Sequence, residues 1–548
     1  MLLLRRFPPA VKAVWLLSAL TALALVLPLW PGADLRLPWI SGTPDVALAL
    51  TLHVDALTRT FALAVAIIAL GVALSDTITS PPWRFVVGRH LAFGIALLII
   101  AAADIAVAAS AVLLLPLAEG VTRRFDDDAR FALLGGMFGA GMGILAAASF
   151  GPASFFGFVA LLAATLFLLF QLPFTSLAER ALGGLPGAFS ANLATVLLPG
   201  LAIVIRFGCD GAAAWQLQLL SVFGSSTMAW AGLAAAQAAT IPQLLAALAP
   251  LYAGSSLLAL GQGISPTQPA AILIGIASVL ALAGTALTAD RLAVSAGTTA
   301  FEGARGIAFT RPASALLLLG GALTLFPLPL LGGAPLGSAL ALAGAWSDGR
   351  VVLVILALAG LSGASVGLGR LAMMLFARPA ERRPLPEQPV GLVAAALPLA
   401  SAAATGVLAF TAWDPAAHAA IAVFGLRPRP TGGELLALPW YGTAAAIVSL
   451  SAATALGLAL AARRHRLAPP PRPRPSMEVP APPPASGTRE VTEGTEQRPN
   501  ARPLLDRAAQ FVQFSLWLFA QGLAVLEGRY YMAAVLVISL WALIIFLG

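Results

Sequence analysis

The chemistry of a chain this poor in charge lies in the few ionisable side chains that interrupt it. Asp104 stands alone in the apolar run Leu91–Leu117, Asp55 sits in DVALALTLHVDALTRTF (Asp45–Phe61), and Arg370 lies near the end of an apolar stretch. An ionisable group in apolar surroundings can take up and release a proton, because desolvation disfavours its charged form and shifts its pKa. Lysine suits that work best: a buried ammonium deprotonates readily, whereas a guanidinium keeps its charge. In 548 residues there is one lysine, Lys12. Proton chemistry in the interior would have to be rewired through carboxylates and water, or be absent.

The elements that hold these residues are membrane helices. The mean hydropathy is +0.90, 59% of residues are hydrophobic and 10% are charged, against about 25% charged in a soluble domain. Between Gly211 and Ala289 there is no Asp, Glu, Lys or Arg, a run far longer than the roughly 20 apolar residues one span needs. The net charge of +8 is no nucleic-acid signature, because the cations fall in short loops where they set orientation. A single cysteine, Cys209, excludes an internal disulfide and a multi-cysteine metal site. The four histidines (His53, His90, His418, His465) have no ligand spacing. No cleavable leader is expected: the basic start (Arg5, Arg6, Lys12) leads straight into a first span.

Hydropathy places spans near 14–30, 56–75, 91–103, 105–118, 131–149, 152–172, 187–206, 216–236, 243–262, 269–289, 313–330, 351–374, 390–411, 437–462 and 530–547. Splitting Leu91–Leu117 at Asp104 keeps the loop charges consistent. With the N-terminus in the cytoplasm, Arg84/Arg89, Arg123/Arg124/Arg130, Arg180, Arg291/Arg305/Arg311, Arg378/Arg382/Arg383 and Arg463/Arg464/Arg466 all fall inside. Arg427/Arg429 is the exception. Residues 468–503 are proline-rich and polar and read as a linker. The stretch 504–526 reads as a lateral or amphipathic segment that lies on the membrane or inserts, ahead of the last span.

Two places carry a helix-breaking pattern. FQLPF (Phe170–Phe174) precedes GGLPGAFSA (Gly183–Ala191), and LFPLPLLGGAP spans Leu325–Pro335. Proline removes a helix hydrogen bond and nearby glycines permit unwinding. Such pairs in two halves of a membrane protein suggest internal repeats with a path at the break; the competing reading is ordinary helix ends.

These stretches, with their neighbours, resemble the antiporter-like membrane subunits of respiratory complex I, Mrp cation/proton antiporters and membrane-bound group 4 hydrogenases. VDALT (Val54–Thr58) matches the VDGLS that follows a hydrophobic position at that family's start, with Asp55 on its aspartate. QLPFTSLAERALGGLPGAFSANLATVLLPGLAIVI (Gln171–Ile205) resembles its most characteristic segment, with Gln171, Leu172, Pro173, Ser190, Ala191 and Thr195 in place. Ile241–Gly261 and Thr310–Gly333, the latter with Pro329, resemble two further helices, and Leu526–Leu540 fits the final span.

The resemblance implies an all-α polytopic membrane protein of about 14–15 transmembrane helices. It implies two inverted five-helix bundles with broken helices near Pro173 and Pro327–Pro329, then the lateral segment and final span. The domain boundaries it suggests are N-terminal helices with an extended segment (1–110), a first bundle (111–236), a second (237–411), a core helix (412–467), the linker (468–503) and the tail (504–548). In the family, a glutamate pairs with a lysine on a broken helix, followed by a central lysine or histidine and a distal lysine. Here those places fall near Leu113, on Leu168, on Ala194 and Pro242, and near Leu336. Arginine bias in a GC-rich genome would have kept the charge.

The remaining candidates have plain readings beside functional ones. Asp104 is a path residue or an interfacial turn; Arg370 is a buried cation or snorkels. Glu119 and Glu179/Arg180 read as headgroup-level charges, Arg206/Asp210 as an interfacial pair, and Asp290/Arg291 and Glu302/Arg305 as surface pairs in a loop. Gln237, Gln243, Gln262, Tyr252 and Ser255/Ser256 line water or are satisfied in helix contacts. The chain shows no catalytic, quinone, flavin, nucleotide or iron–sulfur motif, so no cofactor is expected, and redox chemistry would belong to partner subunits. Three functions stay open: a subunit of a complex I-like or hydrogenase-like assembly with a degenerate channel, an active translocator with a rewired path, and a membrane subunit of an inorganic-carbon uptake complex. The partners implied are other membrane subunits and the lipid bilayer, not nucleic acid.

Overall fold

The computed structural model describes residues 8–467, apart from 27–32, 42–46, 80, 123–127, 176–177, 179–186, 210, 297–299, 329–330, 378–386, 426–429 and 434–437. The linker, the lateral segment, the final span, Pro329, Asp210 and Glu179/Arg180 lie outside the described residues. The chain divides into two units, Met1–Arg463 and Arg464–Gly548.

The protein is an all-α polytopic membrane protein, with one hairpin added. Helix α1 (Pro8–Val26) is followed by an antiparallel pair, β1 (Ala33–Ser41) and β2 (Ala47–Val54). The sequence placed an extended segment there; its backbone groups pair with each other. Then come α2 (Ala56–Thr79), α3 (Trp83–Ala101), α4 (Ile105–Thr122), α5 (Asp128–Phe150), α6 (Phe155–Leu168) and α7 (Ala188–Gly208), the last with two π-helical turns. The second half holds α8 (Ala214–Gln237), α9 (Ile241–Leu260), α10 (Thr267–Ala296), α11 (Pro312–Leu325), α12 (Gly333–Ser347) and α13 (Val351–Leu375). The described chain closes with α14 (Pro389–Leu408), α15 (Pro415–Phe424) and α16 (Trp440–Leu467). Among the described residues, nine helices are long and apolar enough to cross a membrane.

Helix α12 is absent from the hydropathy reading, and its placement shows why. Gly321 on α11 packs on Thr285 of α10, Gly333 on Ala277 and Leu273, Gly337 on Ile274 and Ala270, and Gly344 on Thr267. The contacts descend α10 without reversal. α11 and α12 are therefore one crossing laid end to end along α10, interrupted between Phe326 and Gly332. Each half alone is too short to span.

Helix directions then give the repeat. α8 and α13 run parallel, because Gly360 packs on Met228 and Gly367 on Ala235. Parallel first and fifth helices require five crossings, which holds only if α11–α12 counts once. In the first half, α7 runs antiparallel to α6, with Gly200 against Leu168 and Gly208 against Leu161. It runs parallel to α3, with Gly187 beside Arg89 and Arg206 beside Ile100. An odd number of crossings makes the second bundle, α8–α13, enter from the face opposite to that of α3–α7, so the two are inverted. As packed, the bundles cover 83–208 and 214–375; the boundaries read from sequence, at 111 and 237, fall within α4 and at the end of α8. Small residues permit the closest approaches: a Cβ on Gly232 would lie 2.1 Å from the Gly360 carbonyl oxygen.

Candidate functional site

Both helix breaks meet the same helix, α9, at half its length. Helix α6 ends at Leu168, Phe170 adopts a left-handed backbone (φ 54°), and the Leu172–Pro173 peptide is cis. The freed groups are held without charge. Gln171, fully buried, donates through Nε2 to the carbonyls of Leu169 (3.0 Å) and Pro250 (3.1 Å). The Leu172 N–H donates to Thr227 Oγ1 on α8 at 3.2 Å. At the second break the Tyr252 hydroxyl donates to the Leu325 carbonyl, and Thr454 on α16 donates to the Pro327 carbonyl at 3.1 Å. Ser255 and Ser338 hydrogen-bond at 2.9 Å just beyond it. Unmade backbone bonds in lipid cost several kcal/mol each, so these hydroxyl and amide groups account for the tolerance of both breaks.

Of the positions where the resemblance sets the family's titratable groups, Leu113 and Pro242 are half-buried and the others are packed. Leu168 and Ala194 are fully buried and Leu336 is 1% exposed. Leu168 closes on α7 so tightly that a Cβ on Gly200 would lie 2.7 Å from its own Cβ. Ser190 is buried and donates to the Ala283 carbonyl at 3.0 Å, a helix-to-helix tie. Gln262 likewise donates to the Ala341 carbonyl at 2.6 Å.

The charges gather at the rims. At the face where α2 begins, Asp55 accepts from the Thr58 N–H (2.6 Å) and pairs with Arg206 of α7 (2.7 Å). The same guanidinium donates to the last carbonyls of α3, Ile100 (2.9 Å) and Ala102 (2.8 Å), where a helix dipole favours a cation. The sequence reading set Arg206 beside Asp210, which lies outside the described residues; its described partner comes from a segment 151 residues away. Arg370 repeats the device in the second bundle. From α13 it donates to Ala236 (3.2 Å) and Ala238 (2.9 Å), the C-terminal carbonyls of α8. Its guanidinium sits 5.1 Å from the Phe301 ring. In both bundles, therefore, an arginine on the fifth helix caps the first. Asp104 is exposed in the turn between α3 and α4, where its Oδ1 accepts from the Ala106 N–H at 2.6 Å.

The opposite rim holds what the sequence reading missed. Asp76 and Arg89 form an ion pair at 2.5 Å with side chains 1% and 6% exposed. Hydropathy ended one span at 75 and left Arg89 in a loop, yet α2 runs to Thr79 and α3 starts at Trp83. One signal was available: Asp76 and Arg89 flank the Pro81–Pro82 turn, five residues before it and seven after it, so a helical hairpin can bring them together. Asp290 is another correction. It belongs to α10, not to a surface loop, and its Oδ2 accepts from the Gly187 N–H at 2.7 Å. Arg291 donates to the Gln388 carbonyl at 2.9 Å instead of pairing with Asp290.

Inverted five-helix bundles with a break in each define a class of membrane protein architecture, and solved structures share it. A chain of respiratory complex I from Thermus thermophilus is 20% identical, with 73% of this chain covering 92% of that one at a TM-score of 0.57. A chain of the Mrp complex from a Dietzia species is 18% identical, with all of this chain covering 61% of that one at 0.70. A chain of the membrane-bound sulfane sulfur reductase, an archaeal respiratory membrane complex, is 17% identical, with 83% covering 94% at 0.64. At these identities the likeness is one of fold, and it agrees with the resemblance carried by the motifs. No family model and no curated protein matches the sequence.

Proposed function

We propose that this chain is an antiporter-like subunit of a multi-subunit, redox-driven or ion-translocating membrane assembly, with a degenerate central proton path and a structural or coupling role. The observation that carries the reading is the pair of helix breaks held by Gln171, Thr227 and Tyr252, with Leu168, Ala194 and Leu336 packed where the family's titratable groups would stand. A group that neither gains nor loses charge near neutral pH cannot relay a proton by titration. The three fold relatives are each chains of larger membrane complexes, which supports other membrane subunits as partners. Loop charges favour a bacterial-type inner membrane with a cytoplasmic N-terminus.

The test has two parts. Affinity purification of the tagged chain from its native membrane in mild detergent should bring down stoichiometric membrane subunits; a partnerless monomer would count against the reading. Reconstituted alone in liposomes with a pH-sensitive dye, the chain should pass no protons under an imposed potential. Flux would favour the second reading, a rewired translocator, for which the buried Asp76–Arg89 pair is the specific support. Co-purification of a soluble metal-binding partner would favour inorganic-carbon uptake.

A further inference from the structure

We propose that the last turn of α7 is a two-register latch, held wide by Arg206 and closing to ordinary α-helix when the Asp55–Arg206 pair opens. The inference rests on the geometry of α7 and does not depend on the functional reading above. Two π turns interrupt α7, at Leu193–Leu197 and at Val204–Gly208. Such a turn holds one residue more than an α turn; it is rare and frequently stands at a functional site. The first has a local cause. The Leu198 N–H bonds the Leu193 carbonyl, five residues back, and Pro199 follows. Proline lacks an N–H and its ring crowds the carbonyl four residues before it, here Thr195 within the turn.

The second π turn has no such cause, since no proline occurs between Pro199 and Pro242. It has Arg206 at its centre. The guanidinium donates to the carbonyls of Ile100 (2.9 Å) and Ala102 (2.8 Å), to Asp55 Oδ2 (2.7 Å) and to the Thr58 hydroxyl (3.0 Å). The Thr58 hydroxyl in turn donates to the His53 carbonyl at 2.9 Å. The hairpin is fastened beside it, with the Ala103 N–H on the Thr51 carbonyl at 3.1 Å. One side chain thus joins the end of α7 to the hairpin, the start of α2 and the end of α3. Closing a π turn to an α turn shifts the register by one residue, about 100° around the helix. That rotation carries Arg206 off all of these partners, so the bonds and the wide turn stand or fall together. The charge-assisted bonds are the strong ones and offset the cost of the unusual turn. A displacement of the hairpin is therefore felt in the register of α7. The other ties of α7 lie deeper in the protein: Gly200 against Leu168, and Ser190 on the Ala283 carbonyl.

The chain carries its own reporter. Cys209, half-buried and one residue beyond the turn, is the single cysteine. Adding Ser110→Cys on the exposed side of α4 gives a pair of spin labels for pulsed electron paramagnetic resonance on the full chain in nanodiscs. With Asp55 and Arg206 in place the pair should give one distance. Asp55→Asn or Arg206→Gln should bring up a second, displaced by roughly 8 Å, the sweep of a side chain turned about 100° on a helix of this diameter. Its share should rise about tenfold or more, as expected for the loss of a charge-assisted bond. Thr58→Val, which removes one of the bonds and no charge, should shift the balance less in the same direction. Amide hydrogen exchange across Val204–Gly208 should stay slow throughout, because α bonds replace the π bonds. One unchanged distance in both charge variants overturns the proposal. So does a broadened distribution with fast amide exchange, which would mean that the helix end frays instead of changing register. If Asp55→Asn fails to fold, Arg206→Gln and Thr58→Val carry the same test. Dye-measured flux and co-purification leave this outcome untouched, so the two readings fail separately.

Discussion

The two bundles share a plan and differ in how they are held. In each, an arginine on the fifth helix caps the first: Arg206 on Ile100 and Ala102, Arg370 on Ala236 and Ala238. Arg206 adds a carboxylate partner, Asp55, while Arg370 adds the ring of Phe301. The first bundle carries a second buried pair, Asp76–Arg89, at its other rim. The second bundle is free of charge from Gly211 through Ala289 and is tied by Tyr252, Ser255, Gln262 and close glycine contacts. The difference teaches that broken helices need hydrogen bonds, which uncharged groups supply, whereas charge here serves helix ends at the rims.

The largest blow to this contrast would come from Arg89→Met. Stranding the Asp76 carboxylate should cost about 3–5 kcal/mol, read as lost thermal stability in nanodiscs. A neutral result would show that the pair is not buried as described. Next, Leu168→Lys should destabilise by about 2.5–3.5 kcal/mol and should give no proton flux. A folded, flux-competent variant would show a wet centre and erase the distinction between centre and rim. Arg206→Ala should cost about 1.5–3 kcal/mol, as for a hydrogen bond to a charged group. Arg370→Ala removes the bonds to the Ala236 and Ala238 carbonyls and should cost a similar amount; a much smaller loss than for Arg206→Ala would mean that the Asp55 pairing, not the capping of the first helix, carries the energy. Tyr252→Phe is the mildest, at about 1 kcal/mol, and should loosen the second break alone, seen as faster amide exchange around Leu325.

The helices were legible wherever an apolar stretch was long enough to span. What sequence reading lost, it lost at charges and breaks. Asp76 cut α2 short because hydropathy counts a carboxylate as an end, although a neighbouring guanidinium allows it inside. Asp290 was assigned to a loop for the same reason. α12 was missed because half a crossing has half the apolar length, and only its alignment along α10 shows what it completes. Asp104, as the apolar run allowed, marks the turn between α3 and α4.

By itself the sequence determined a polytopic membrane protein with two helix-breaking stretches and no lysine beyond Lys12, because hydropathy, proline and residue identity act locally. Tertiary structure decided which charges meet and what holds the breaks. Asp55 finds Arg206 across 151 residues, and Gln171 finds the Pro250 carbonyl across 79. Such pairings arise from helix direction and depth, and no window along the chain contains both partners.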